Sequence, residues 1–213
     1  MRLSAATALL LALGGLAACT GSGDGPKDDG AERPAGTPTP SATPLAGFDT
    51  ASVVVARDDF CSLVPELAVE QTLGGPFAST TDYVNGERAP ITPKVRDVAH
   101  EYSCTWVAED GTTARAWVFA PPVTPKAARG LVRDLRDQRR CDTPDAPDFG
   151  TPSVATVCTS DTGLEAAFHG LFVDAWLSCS LTGAPGTGSA LLDRTGQWCV
   201  QVAQSIDQAS QSS

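Results

Sequence analysis

The chain has 213 residues, 42% apolar and 19% charged, with 15 Lys and Arg against 25 Asp and Glu and a formal charge of −10. So acidic a balance excludes the basic footprint that nucleic-acid binding needs and opposes general adhesion to an anionic membrane surface. The length suits one domain with a sizeable core once the non-globular ends are set aside.

The first predicted element is an export signal at residues 1–18. Met1-Arg2 gives a minimal positive start, and Ala5 to Ala18 is apolar apart from Thr7 and the Gly14-Gly15 pair. That stretch is too short to span a bilayer, which takes about 20 residues, and it has the layout of a signal peptide. It ends in Leu16-Ala17-Ala18-Cys19, which resembles the bacterial lipobox. The resemblance implies cleavage just before Cys19 and a diacylglyceryl thioether on its sulfur. One acyl chain binds only marginally, at about 0.8 kcal/mol per buried CH2, so a lipoprotein needs its two or three chains for stable anchoring. An ordinary secretory signal with a coincidental Cys is the competing reading. On the lipoprotein reading the rest of the chain lies extracytoplasmically, at the outer face of the cell membrane.

Residues 19–51 read as the lipidated Cys followed by a disordered tether. Gly, Pro, Thr, Ser and Ala dominate, and no aromatic occurs before Phe48. Such a stretch cannot bury enough apolar surface to offset its ordering entropy. Its Thr37-Pro38-Thr39-Pro40 part should be extended, near ~3.1 Å per residue. Threonines between prolines also suit O-glycosylation, although a bare spacer is the simpler reading.

The folded domain is expected over residues 52–207, with 208–213 as a loose tail. Asp58-Asp59 can cap a turn, and Pro65 opens a helix that ends at Leu73-Gly74. Residues 74–97, with Gly, Pro, Asn and Thr, read as a loop. Val98, His100, Tyr102, Cys104 and Trp106 alternate with more polar neighbours, a strand pattern. Asp110-Gly111 marks a hairpin turn, and Arg115, Trp117 and Phe119 continue on the return strand. Thr124-Pro125 opens a second helix running to about Arg140. A Pro- and Asp-rich loop follows, then a strand over 154–159. Leu164 to Phe168 and Leu171 to Leu181 read as a hairpin or one bent strand, with His169-Gly170 at the turn. The last helix, about 188–206, places Leu192, Thr195, Cys199, Val202 and Ile206 on one face. The fold class is α+β: an antiparallel sheet of four to five strands, with three helices packed on one face and disulfides as staples. Residues 98–140 and 162–206 both read hairpin then helix.

Setting Cys19 aside leaves Cys61, Cys104, Cys141, Cys158, Cys179 and Cys199. An even number in an exported domain reads as three disulfides. Six cysteines allow 15 connectivities. Sequential pairing is favoured because short loops close most readily: Cys61–Cys104, Cys141–Cys158 and Cys179–Cys199. Zinc is disfavoured, since there is no C-x-x-C and neither His is near a Cys.

The residues Asp59-Phe60-Cys61-Ser62-Leu63-Val64-Pro65, the Leu73-Gly74 helix end and the later Cys104-Thr105-Trp106 resemble a family of actinobacterial surface lipoproteins of unknown function. Their domains open with an Asp-x-Cys-x-Leu-Leu-Thr motif and later carry a Cys-x-Trp strand. Phe60 and Val64-Pro65 depart from that pattern. More distantly, the arrangement resembles extracellular sensor domains of actinobacterial Ser/Thr kinases. A chain with much Ala, Gly, Pro, Val, Asp and Arg and little Lys, Ile and Met fits such a high-GC source. The resemblance implies a disulfide-bonded surface lipoprotein and no activity, so no catalytic residue is carried over.

No G-x-S-x-G elbow, P-loop, H-E-x-x-H or S-x-x-K occurs. His100 and His169 read as structural or solvated. Gly186-Thr187-Gly188-Ser189 reads as a helix cap. Asp142, Asp145 and Asp148 recur every third residue, but without the Glu and Gly of a calcium loop. No cofactor and no metal site are expected. Two surfaces stand out. Lys126, Arg129, Arg133, Arg136 and Arg140 form a basic stripe opposite Ala128, Leu131, Val132 and Leu135. It is either a solvated face or a contact strip for an acidic partner, a wall polymer or lipid head groups. Trp106, Trp117, Trp176 and Trp198 are either core packing or the walls of a cleft for an apolar or sugar ligand. A non-catalytic lipoprotein that binds an envelope protein, a wall polymer or a small apolar ligand is the leading expectation. An envelope hydrolase or transferase, or a structural wall-associated spacer, are the alternatives.

Overall fold

The computed structural model describes residues 42–92 and 94–211. The signal segment, Cys19, residues 20–41 of the tether and the last two residues lie outside them. In chain order the elements are α1 (Glu66–Leu73), β1 (Phe77–Tyr83), β2 (Arg88–Thr92), β3 (Val95–Val98), β4 (Glu101–Ala108), β5 (Thr113–Phe119), α2 (Pro125–Arg136), β6 (Cys141–Asp142), β7 (Ser153–Ser160), β8 (Gly163–Phe172), β9 (Ala175–Thr182) and α3 (Gly188–Gln211). Seven strands make one antiparallel sheet in the order β1-β4-β5-β9-β8-β7-β6, and β2 and β3 pair separately.

The α+β class and the three helices agree with expectation, but the described residues hold nine strands rather than four to five. The excess lies mainly in 74–97, expected as a loop. β1 is an edge strand that is exposed almost throughout, so no apolar alternation betrays it. β2 and β3 form a hairpin beside the sheet, pinned by a small cluster of Tyr83, Ala89 and Ala99. Val98 closes that hairpin, and β4 begins only at Glu101.

β8 and β9 also differ from expectation. The turn falls at Val173-Asp174, and His169-Gly170 lies well inside β8. β8 is buried on both faces, so its apolar run carries no periodicity to locate the bend. Gly170 is there for a close approach: a Cβ on it would lie 1.4 Å from the carbonyl oxygen of Phe149.

The helices do not share one face of the sheet. Leu177, Cys179 and Leu181 of β9 pack in the main core with Leu191, Trp198, Val202 and Ile206 of α3. Trp176, the alternate residue, packs in a second cluster with Ala128 and Val132 of α2. Alternate strand residues point to opposite faces, so α2 and α3 cover opposite sides. The repeated hairpin-then-helix order is real, yet its two helices end on different layers.

Each helix has a local cause. Thr124 caps α2, its hydroxyl accepting from Ala127 N at 3.2 Å, with Pro125 at the first position. α2 stops at Arg136, four residues before the expected end. Thr187 Oγ1 accepts from Ala190 N at the start of α3, as the glycine loop predicted. α3 runs on to Gln211 through part of the expected tail. At the other end, Leu45 is already buried against the core, so packing begins before residue 52.

The three sequential disulfides are the ones formed: Cys61–Cys104, Cys141–Cys158 and Cys179–Cys199. Cys61 N donates to Asp59 Oδ1, and its bridge ties the N-terminal turn to β4. Two residues along β4, Trp106 packs edge-on against Trp198 at 5.3 Å. The Asp59/Cys61 and Cys104/Trp106 motifs thus form one staple through the core.

Candidate functional site

The sheet face opposite α3 is only partly covered. α2 lies over β7 and β8, the β2–β3 hairpin shares a cleft with Glu101 of β4 and Phe119 of β5, and β5 runs between β4 and β9. On β5, Ala114, Ala116 and Val118 enter the core, so Arg115, Trp117 and Phe119 face the other way. This is the candidate site.

Arg115 is held from several sides. Its Nη2 lies 2.8 Å from Glu101 Oε1 and donates to the Tyr83 hydroxyl at 2.9 Å, and its Nε donates to Ser103 Oγ at 3.2 Å. Tyr83 donates in turn to Glu101 Oε1 at 2.5 Å. Burial, and next the Glu101 hydrogen bond, raise the Tyr83 pKa above its ordinary 10.0, so the phenol keeps its proton. The guanidinium sits over the Trp117 ring, 4.5 Å from its centroid. The register explains the set, since Ser103 lies between Tyr83 on β1 and Trp117 on β5.

Two clefts meet this patch, and both touch Phe119. One, of about 370 Å³, runs under the β2–β3 hairpin between Ile91, Val95, Val98 and Pro121, with His100 and Glu101 at its side. The other, of about 220 Å³, lies under α2 between Trp117, Trp176, Leu131 and Leu135. At its inner side His169 Nδ1 and Ser178 Oγ are 2.8 Å apart, facing each other across β8 and β9. Desolvation lowers the His169 pKa from 6.5 to about 4, so the ring is neutral at physiological pH.

The His169–Ser178 pair has the separation of a base and a nucleophile, but Ser178 is fully buried. With both groups buried and paired to each other, this contact reads as a satisfied buried polar pair at the inner wall of the cleft. His100 is exposed in the bend before β4, not on an apolar strand face.

The basic stripe is partly assembled. Lys126, Arg129, Arg133 and Arg136 are exposed on α2, opposite the buried Ala128 and Val132. Arg140 falls beyond the helix, with a positive φ and an ion pair to Asp161 at 3.8 Å. Arg136 lines a polar groove of about 530 Å³ together with Asp145 and Asp148, so the stripe ends against acid. Asp142, Asp145 and Asp148 are exposed, and among the described residues no group of three or more His, Cys, Asp or Glu is placed to hold a metal. Of the four tryptophans, Trp106 and Trp198 are core, while Trp117 and Trp176 line the cleft under α2.

Glu101, Tyr83, Ser103 and Ser178 went unnoticed in the sequence. The one signal was the phase of β5, where a row of Ala, Ala and Val alternates with Arg, Trp and Phe. The small apolar row marks the core side, and the Arg and aromatic row marks the site.

The chain matches no family model and no curated protein.

Proposed function

We propose that the chain is an extracytoplasmic lipoprotein, anchored by lipid on Cys19, that binds a ligand or partner without catalysis on the open sheet face. The observation that carries this reading is Arg115. It is fixed by Glu101, Tyr83 and Ser103 and stacked on Trp117; Glu101 lines the cleft under the hairpin and Trp117 the cleft under α2, so the charge adjoins both. A preorganised charge beside aromatic walls suits recognition, because its ordering cost is already met before the ligand arrives. Three disulfides support an oxidising compartment. The signal layout and the seventh cysteine support the anchor. The Asp59/Cys61 opening and the Cys104/Trp106 strand support placement with the actinobacterial surface lipoproteins.

Native mass spectrometry of the full chain, extracted from its own membrane, tests the reading. Beyond the covalent lipid on Cys19, the wild type should carry a non-covalent lipid, glycan or protein in fixed ratio. An Arg115→Met, Trp117→Ala chain with unchanged circular dichroism should retain at least tenfold less. A bare wild-type chain, or equal retention by both, would overturn the assignment.

A further inference from the structure

The cleft under α2 allows a narrower statement, which rests on the binding reading above. It is bounded by side chains of three kinds. Trp117, Trp176, Leu131 and Leu135 give it apolar walls. Asp134 and Gln138, both exposed on the α2 side, give it a polar mouth. His169, only 7% exposed, is the polar group on its inner side, with Nδ1 already engaged by Ser178.

The charges decide the ligand class. No Lys or Arg is among the described residues lining this cleft, although α2 carries one Lys and three Arg, and Arg115, stacked on the wall residue Trp117, is already paired with Glu101 at 2.8 Å. Lys126, Arg129, Arg133 and Arg136 lie on the exposed side of the helix, away from the buried Ala128 and Val132. The charged group at the mouth is therefore the Asp134 carboxylate, which disfavours an anion. Placing an anion against apolar walls also leaves its charge without the pairing that burial demands.

The size decides the rest. About 220 Å³ is below the usual range for drug-sized ligands, roughly 300–1,000 Å³. It has room for one small ring or a short branched aliphatic group, and not for a polymer chain. A neutral imidazole offers one nitrogen beyond the one Ser178 engages.

We propose that the cleft under α2 binds a small uncharged aromatic ring compound, because its mostly apolar walls and single inner imidazole cannot satisfy the several hydroxyls of a sugar. The compound's apolar face lies between Trp117, Trp176 and the α2 leucines, and one hydroxyl or carbonyl pairs with His169.

The test uses the full mature chain with Cys19→Ser, to keep lipid out of the sample. Phenol, benzoate and methyl β-glucoside are titrated separately while NMR follows the His169 ring and the methyl groups of Leu131 and Leu135. Phenol should give saturable shifts at all three residues, and benzoate, of similar shape but anionic, should bind at least tenfold more weakly. Leu131→Trp, or Leu135→Phe if the first disturbs α2, should fill the cleft and abolish the phenol shifts.

Benzoate binding as tightly as phenol would overturn the charge argument. Methyl β-glucoside displacing phenol would replace the apolar ring by a sugar and also overturn the proposal. No saturable shift with any probe would remove the cleft as a ligand site. A ligand still retained from the membrane in an Arg115-dependent way would then leave the broader binding reading standing on the rest of the face.

Discussion

His169 shows how one residue sets a pH dependence. Its imidazole titrates near 6.5 when solvated and at about 4 in the fold, because burial disfavours the cation. Between those values the unfolded chain binds a proton that the folded chain does not. The stability from this site is therefore complete above about pH 6.5 and is lost as the pH falls toward 4. The full difference is about 3 kcal/mol. Urea midpoints measured from pH 7 to pH 4 should fall for the wild type more steeply than for His169→Gln. Parallel curves would place the proton uptake elsewhere. The sequence showed the residue but not this behaviour, since the glycine after it reads as a turn. Gly170 is instead where the backbone of Phe149 presses on β8.

At the scale of elements, α2 decides whether the second cleft exists. Its capping Thr124 and Pro125 hold one end, and the Cys141–Cys158 bridge ties the strand after its other end to β7. The cysteines are 17 residues apart, a loop length for which cross-linking contributes about 3 kcal/mol. The double change Cys141→Ser, Cys158→Ser should cost about that much. It should also speed hydrogen exchange in the last turn of α2 more than in α3. Equal speeding in both helices would mean that the bridge acts on the whole domain. The helix, its start and its apolar face were legible from Thr124-Pro125 and the spacing of Ala128, Val132 and Leu135. The layer it occupies was not, because amphipathic periodicity fixes which side of a helix is buried and not which side of a sheet buries it.

For the whole molecule, the anchor and the domain make separate claims. Cys19→Ser should remove the lipid mass and leave residues 1–18 uncleaved, while the three disulfides still form. A lipid mass that persists in this variant would overturn the assignment of the anchor to Cys19. The basic stripe is a smaller feature in the structure than in the sequence, since Arg140 leaves the helix and Arg136 meets Asp145 and Asp148 in one groove.

The sequence by itself pointed to an export signal, favoured the sequential pairing of its even six cysteines, and determined the three helices and the α+β class. Each of these follows from local chemistry: a short apolar run, a thiol count with loop lengths, capping residues and a 3.6-residue period. Only the tertiary structure decided the seven-stranded order, the edge strand β1, the β8–β9 turn and the opposite placement of α2 and α3. It also assembled Tyr83, Glu101, Ser103 and Arg115, which come from three strands and meet through antiparallel register. Register is set by pairing between distant segments, so no window of sequence contains it.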